Sequence, residues 1–254
     1  IKRASHLIPT PDELDDDEKM ADGAHDDATF SFGSSAGSPT SADPDKVVEF
    51  RGKQLCVDYY PSVFSDKEAA KLFDVLRDQV VWPREGKLVD MKRRMNATYG
   101  EPGVSYTVLL GGYGGVEKTK VTRHAIDWRT IPELLAAKEQ IEALTWQTYN
   151  YCVIQYYPNG SAVIGPHSDK EMKKGTSICG LSLGSKRTIH FHAPRAENKE
   201  KDVSILLASG SVYIMLPPTN DHWLHSIEKD VSIRMPRISV TFRFADPEEN
   251  SQEK

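Results

Sequence analysis

Cysteine is scarce in this chain. Cys56, Cys152 and Cys179 are odd in number and far apart, with no Cys-x-x-Cys spacing. Such a set supports neither a disulfide framework nor a zinc site and suits a reducing compartment, each thiol being read as a small buried apolar residue. No apolar run approaches the roughly 20 residues that span a bilayer, and the first residues lack a signal-peptide core, so an intracellular protein without membrane attachment is expected. Ile1 is not an initiator methionine, so the natural start is expected upstream. The glycine run Gly111-Gly-Tyr-Gly-Gly115 lacks both the strand–helix setting and the lysine of a phosphate loop, which excludes that motif. Beyond Lys92-Arg93-Arg94 there is no basic localisation cluster.

Hydrophobic residues make up only 39% of the chain, and the deficit lies at its start. Residues 1–46 hold 11 acidic and 4 basic residues, a net of −7, with a Ser/Gly/Pro stretch from Ser31 to Pro44. A segment so poor in large apolar groups cannot offset its ordering entropy, so a disordered acidic tail is expected. Residues 246–254 form a second acidic tail with a net of −3. The whole chain carries −5; removing −7 and −3 leaves +5 on a single domain spanning residues 47–245. A mildly basic domain permits nucleic-acid contact without requiring it.

Val47 to Tyr60 reads as a strand. Ser65-x-x-Glu68 is a capping box opening a helix with Ala69, Leu72, Phe73, Leu76 and Val80 on one face. Leu88 to Arg94 reads as an edge or hairpin strand and Tyr106 to Leu110 as another. Thr130-x-x-Glu133, with Pro132 in the first turn, predicts the cap of a second helix whose inner face carries Leu134, Ala137, Ile141, Leu144 and Thr148. From Tyr151 the period changes to 2, predicting strands at 151–157, 178–183, 188–192, 204–207, 212–216, 223–227 and 238–244. Short strands between Gly/Pro turns imply a sandwich or barrel.

Two segments carry chemistry. In Gly165-Pro-His167-Ser-Asp169, an imidazole and a carboxylate two residues apart share one face of an extended chain, which suits a divalent metal. Asn220-Asp-His-Trp-Leu-His225 offers a third ligand, and two His with one carboxylate is the facial set of non-heme Fe(II) oxygenases. In Arg237-Ile-Ser-Val-Thr-Phe-Arg243, residues 237, 239, 241 and 243 share a strand face. Two guanidinium groups on a core-facing strand demand anions, and a dicarboxylate such as 2-oxoglutarate would satisfy them.

This set, with Ala97-Thr-Tyr-Gly100, Gly210-Ser-Val-Tyr-Ile-Met and Pro218-Thr-Asn-Asp-His-Trp-Leu-His-Ser226, resembles the AlkB family of Fe(II)/2-oxoglutarate dioxygenases, in its eukaryotic nucleic-acid-repair branch. The resemblance runs from about Gln54 to Ala245. It implies a mainly β protein, a double-stranded β-helix or jelly roll, with amino-terminal helices packed outside and a nucleotide-recognition lid. His167, Asp169 and His225 would ligate Fe(II), with His190 and His192 as packed or exposed strand residues and His222 as a loop-fixing group.

Arg237 with Tyr157 would take the far carboxylate of 2-oxoglutarate, and Arg243 the iron-chelating end. Thr241 and Gln155, the latter standing where the family usually has Asn, would assist. Glu171 matches an acid that faces the target base, while Lys170 stands where the branch usually has a second acid. Arg94, Asn96, Tyr99 and Tyr106 match lid positions for phosphate contact and stacking, with ordinary core packing the competing reading of both tyrosines. Val108 replaces a common aromatic.

The implied activity uses Fe(II), 2-oxoglutarate and O2 to dealkylate 1-methyladenine- and 3-methylcytosine-type bases in DNA or RNA, releasing formaldehyde. The hairpin Pro83 to Asp90 holds no aromatic wedge, so single-stranded or locally opened nucleic acid is the expected substrate of a monomeric, nuclear enzyme. Oxidation of a protein side chain on the same iron core and a non-catalytic nucleic-acid-binding role are the alternatives.

Overall fold

The period-2 pattern becomes strands in a computed structural model, which describes residues 47–82, 94–110, 119–194 and 201–246. In chain order these are β1 (Val48–Gly52), β2 (Leu55–Tyr60), β3 (Met95–Gly100), β4 (Ser105–Leu110), β5 (Thr119–His124), β6 (Ile126–Asp127), β7 (Tyr151–Tyr157), β8 (Ile164–His167), β9 (Ile178–Gly184), β10 (Arg187–His192), β11 (Val203–Leu207), β12 (Val212–Met215), β13 (Leu224–Ile227) and β14 (Arg237–Arg243). The helices are α1 (Asp66–Gln79), α2 (Pro132–Thr145) and the single turn α3 (Thr219–His222).

A larger sheet has the order β1-β2-β12-β9-β14-β7-β3-β6 and a smaller one β11-β10-β13-β8. From β7 to β14 the chain passes repeatedly between the two, which is the jelly-roll path. Side chains from both sheets meet in one cluster, including Tyr157, Ile178 and Met215 from the larger and Ile189, Phe191 and Ile205 from the smaller. The other face of the larger sheet is covered by α1 and α2, whose Leu72, Leu76, Leu134 and Ile141 pack with Ile154, Leu181, Val240 and Phe242. Strands β4 and β5 form a separate hairpin.

The capping box closes as expected. The Ser65 hydroxyl accepts from the Glu68 amide, and the Glu68 carboxylate accepts from the Ser65 amide at 2.9 Å. The second helix departs from expectation. Its cap is Ile131, with no side-chain cap, because Thr130 is drawn into the preceding 3-10 turn, where its hydroxyl donates to Asp127 O at 2.7 Å. Leu144 is exposed and Thr148 lies beyond the helix; Lys138 and Thr145 take the inner row instead. Lys138 manages this by laying its stem inward, with its ammonium 2.9 Å from Glu142 and over the Trp128 ring.

Val47 to Tyr60 is a hairpin rather than one strand, since the chain reverses at Gln54, where φ is 61°. The expected strand at 88–94 lies outside the described residues except for Arg94, as do the 111–115 loop and the tail at 1–46. At the other end Asp246 belongs with the domain, its carboxylate 2.9 Å from the Lys173 ammonium. No described helix is long and apolar enough to cross a membrane.

Candidate active site

Alternation along β14 sorts its side chains. Ile238, Val240 and Phe242 join the helix-side core, while Arg237, Ser239, Thr241 and Arg243 face a small pocket between the sheets. Across this pocket β8 and β13 pair so that His167 lies opposite His225, with ring centroids 4.3 Å apart. Asp169 follows two residues after the end of β8. Ligand atoms of His167, Asp169 and His225 all lie within 4.8 Å of one another, and among the described residues no other acid/His/Cys group is so placed.

Each member is oriented by a neighbour. His167 Nδ1 is 2.9 Å from Gly165 O; a carbonyl only accepts, so Nδ1 donates and the ring is fixed with Nε2 on the side of Asp169. Asp169 Oδ2 accepts from Arg243 Nε at 3.0 Å and Nη2 at 2.7 Å, while Oδ1 faces His167 Nε2 at 3.7 Å. Burial pushes the Asp169 carboxyl up, but Arg243, then His225 and His167, outweigh it and hold it below the ordinary carboxylate range. Burial lowers the His225 pKa to about 4, so this imidazole is neutral near pH 7. Its Nδ1 is buried without a hydrogen-bond partner among the described residues. Two imidazoles, an ionised carboxylate and a buried ring nitrogen with no partner among the described residues are a donor set that fits Fe(II).

Asn220 completes the arrangement and was not singled out by sequence reasoning. Its Oδ1 accepts from the Asp169 amide at 2.9 Å and its Nδ2 donates to the Asp169 carbonyl at 2.6 Å. This two-point bond ties the loop bearing one ligand to the turn preceding another. The sequence signal was the Asn220-x4-His225 spacing, which places an amide one turn before the third ligand.

The other end of β14 is built differently. Arg237 is 2% exposed. Its Nε donates to Ser182 Oγ at 3.0 Å, its Nη2 to Ser239 Oγ at 3.3 Å, and its Nη1 has no partner among the described residues. The guanidinium lies over the Tyr157 ring, 5.2 Å from its centroid, and Tyr157 OH donates to Gln155 Oε1 at 2.8 Å. A second buried arginine, Arg187, sits 5.7 Å from the same ring centroid and donates to the carbonyls of Ala162 and Glu228. Burial lowers the pKa of Arg237. A buried cation with an orphaned N–H fits the remote carboxylate of a keto diacid. Thr241 also lines the pocket. Arg243, expected at the iron-chelating end of the co-substrate, lines the pocket and gives its strong bonds to Asp169.

This pocket shares Gln155, Ile164, His167 and Arg243 with a cavity of about 830 Å3. Arg94, Asn96, Tyr106, Val108, Lys170 and Glu171 line that cavity. Tyr99 does not. It is 1% exposed in the helix-side core, and its hydroxyl accepts from the Val81 amide at 2.9 Å, so the expected stacking face is absent. The reason is parity: Asn96 and Tyr99 are three apart on β3 and point to opposite faces. The Tyr106 ring packs on Tyr151 at 4.9 Å between centroids, and its hydroxyl bonds Thr98 at 2.9 Å, leaving only 4% of the residue exposed to the cavity. Lys120, Thr122 and Arg123 of β5 also reach the wall; sequence reasoning missed them because the polar run of β5 carries no strand signal.

His190 and His192 stay out of the site. His190 pairs with Ser204 at 2.9 Å, and His192 lies between Asp202 and Ser226. His222 is exposed at the end of α3 rather than fixing the loop, a role that falls to Asn220.

Residues 57–243 match the family described as the 2OG-Fe(II) oxygenase superfamily. The DNA oxidative demethylase ALKBH2 of Mus musculus is 30% identical over 208 residues, covering 76% of this chain and 81% of that protein. The Homo sapiens protein of the same name is 30% identical over 199 residues, covering 72% of this chain and 71% of that one. The alpha-ketoglutarate-dependent dioxygenase alkB homolog 3 of Homo sapiens is 30% identical over 201 residues, covering 74% and 66%.

Proposed function

The chain belongs to the 2OG-Fe(II) oxygenase superfamily and within it to the AlkB family of dioxygenases; from that premise we propose that it oxidatively dealkylates N-methylated bases, of the 1-methyladenine and 3-methylcytosine type, in DNA or RNA, with release of formaldehyde. The observation that carries this reading is a cavity in which His167 and Asp169, two members of the cluster that His225 completes from the adjoining small pocket, stand beside Glu171 and a wall holding Arg94, Lys120 and Arg123. Iron, 2-oxoglutarate and O2, when bound, supply the oxidant for the methyl carbon.

The chain's own residues do the rest. His167, Asp169 and His225 would hold the metal. Arg243, by engaging Asp169 Oδ2, leaves Oδ1 directed toward His167. Arg237 Nη1 would donate to the remote carboxylate of 2-oxoglutarate, with Tyr157 and Gln155 setting the wall beside it. Tyr106 and Val108 would flank the base. A base methylated at a pairing nitrogen is cationic, so the Glu171 carboxylate favours it over an undamaged one. Arg94 and Arg123 supply sequence-independent attraction to phosphate.

A base inside a duplex must be turned out of the stack. Residues 83–90 offer no aromatic to fill the gap, which supports single-stranded or transiently opened strands as substrate. The enzyme would act as a monomer, and work on chromosomal DNA would place it in the nucleus.

The test is turnover with Fe(II), 2-oxoglutarate and methylated oligonucleotides as single strand, duplex and RNA, read as formaldehyde and as base mass. His167→Ala abolishes both products. Succinate formed only with a protein substrate overturns the choice of bases, and a wild-type chain that forms none under any condition overturns the catalytic reading.

A further inference from the structure

The segment Ser168 to Thr176 is a partition. One side faces the cavity just described; behind the other lies a second cavity of about 340 Å3 that the chemistry at the metal does not use. Ser168, Asp169, Lys170 and Met172 line both. The walls of the second cavity divide by character. Met172, Met215, Leu216 and Pro217 supply an apolar floor, and Lys170 and Lys174, both exposed, stand at its rim with Asp221. Lys173 serves another purpose, its ammonium 2.9 Å from Asp246 and its amide bonded to Phe244 O at 2.8 Å, which pins the partition to the end of β14.

An apolar floor beneath a rim of two cations and one acid is a poor site for a bare anion. It matches a flat apolar body bearing a single negative charge. We propose that this cavity receives the nucleotide adjoining the target base, its base against the methionine and proline floor and its phosphate between Lys170 and Lys174. The inference rests on the nucleic-acid reading given above. Lys170 and Met172 line both cavities, so only this one segment separates the second cavity from the first. The floor offers thioether and ring surfaces, which accept any base. The Asn220 amide, which also lines this cavity, has both its atoms engaged with the Asp169 backbone. Recognition there is therefore tolerant of base identity and dependent on charge.

The full chain, loaded with Fe(II) and 2-oxoglutarate, would be assayed on 1-methyladenine presented as a mononucleotide and in the centre of a pentanucleotide. Lys174→Glu should raise KM for the pentanucleotide about tenfold and reduce the salt dependence of its binding by about one ion. Lys174→Gln should fall between, and the mononucleotide KM should stay within about twofold of wild type by the same reasoning. Equal changes on both substrates, or none on either, overturn the subsite. A wild-type chain that oxidises neither substrate nor any other methylated strand overturns the demethylase reading instead.

Discussion

The two ends of β14 bury the same functional group in opposite circumstances. Arg243, 3% exposed, is paired within the chain: Asp169 accepts two of its N–H groups, at 3.0 and 2.7 Å. Arg237, 2% exposed, meets two serine hydroxyls and an aromatic face, and one nitrogen has nothing. Placing an ion out of water is costly unless a counter-charge is supplied. At one end the chain supplies it; at the other the described residues supply none, and on the proposed reading a ligand does. On the proposed reading a buried ion pair here marks construction, and a buried cation without an anion marks a binding position.

The sharpest way to break this contrast is to neutralise each arginine in turn. Arg243→Met leaves Asp169 buried and unpaired, so the metal-free protein should lose about 3–5 kcal/mol of unfolding free energy, measured by urea denaturation. Arg237→Met removes a cation that has no partner carboxylate, so the same measurement should show little loss or a gain. If the two variants unfold at the same urea concentration, the distinction between a structural and a ligand-binding arginine is wrong.

The second prediction reads the other end by its ligand. In Arg237→Met, KM for 2-oxoglutarate should rise by about 30-fold or more, the equivalent of truncating one partner of a buried charge pair at roughly 2–5 kcal/mol. Adding 2-oxoglutarate with a redox-inert divalent metal should raise the melting temperature of wild type through binding linkage and leave that of the variant nearly unmoved. An unchanged KM would mean that the orphaned Nη1 is not where the co-substrate's remote carboxylate rests.

How much of this is legible in the sequence follows the same division. The alternation of β14 needs only period 2, so the inward set Arg237, Ser239, Thr241 and Arg243 is legible, as are the jelly-roll strands from Tyr151 onward. The carboxylate two residues after His167 is legible for the same reason. What cannot be read are partners distant in sequence: Asp169 and Arg243 are 74 residues apart, Asn220 and Asp169 51, Ser182 and Arg237 55. No local pattern encodes such meetings. Strand β8, with Gly165 and Pro166 among four residues, carries a poor strand signal and exists because it lies at the sheet edge, where proline is tolerated. Tyr99 is misplaced by sequence reasoning because β3 gives no clear alternation, and without a strand there is no parity to assign its face.

The smallest predicted effect concerns Asn220, which touches neither the metal nor the co-substrate pocket's arginines. Its amide grips the Asp169 backbone from both sides, at 2.9 and 2.6 Å, while Arg243 grips the side chain. The two residues thus hold Asp169 in complementary ways, since Arg243 sets the rotation of the carboxylate and Asn220 sets where the carboxylate starts from. Asn220→Ala frees the backbone but leaves the ion pair intact, so stability should change far less than in Arg243→Met. The loop is then less well held in the ligating position, and affinity for Mn(II) or Co(II), titrated directly without turnover, should fall about tenfold, as for other groups that orient a ligand from behind. A variant that binds metal as tightly as wild type but melts much earlier would make Asn220 a plain structural residue, and would leave Arg243 as the sole orienting contact of Asp169.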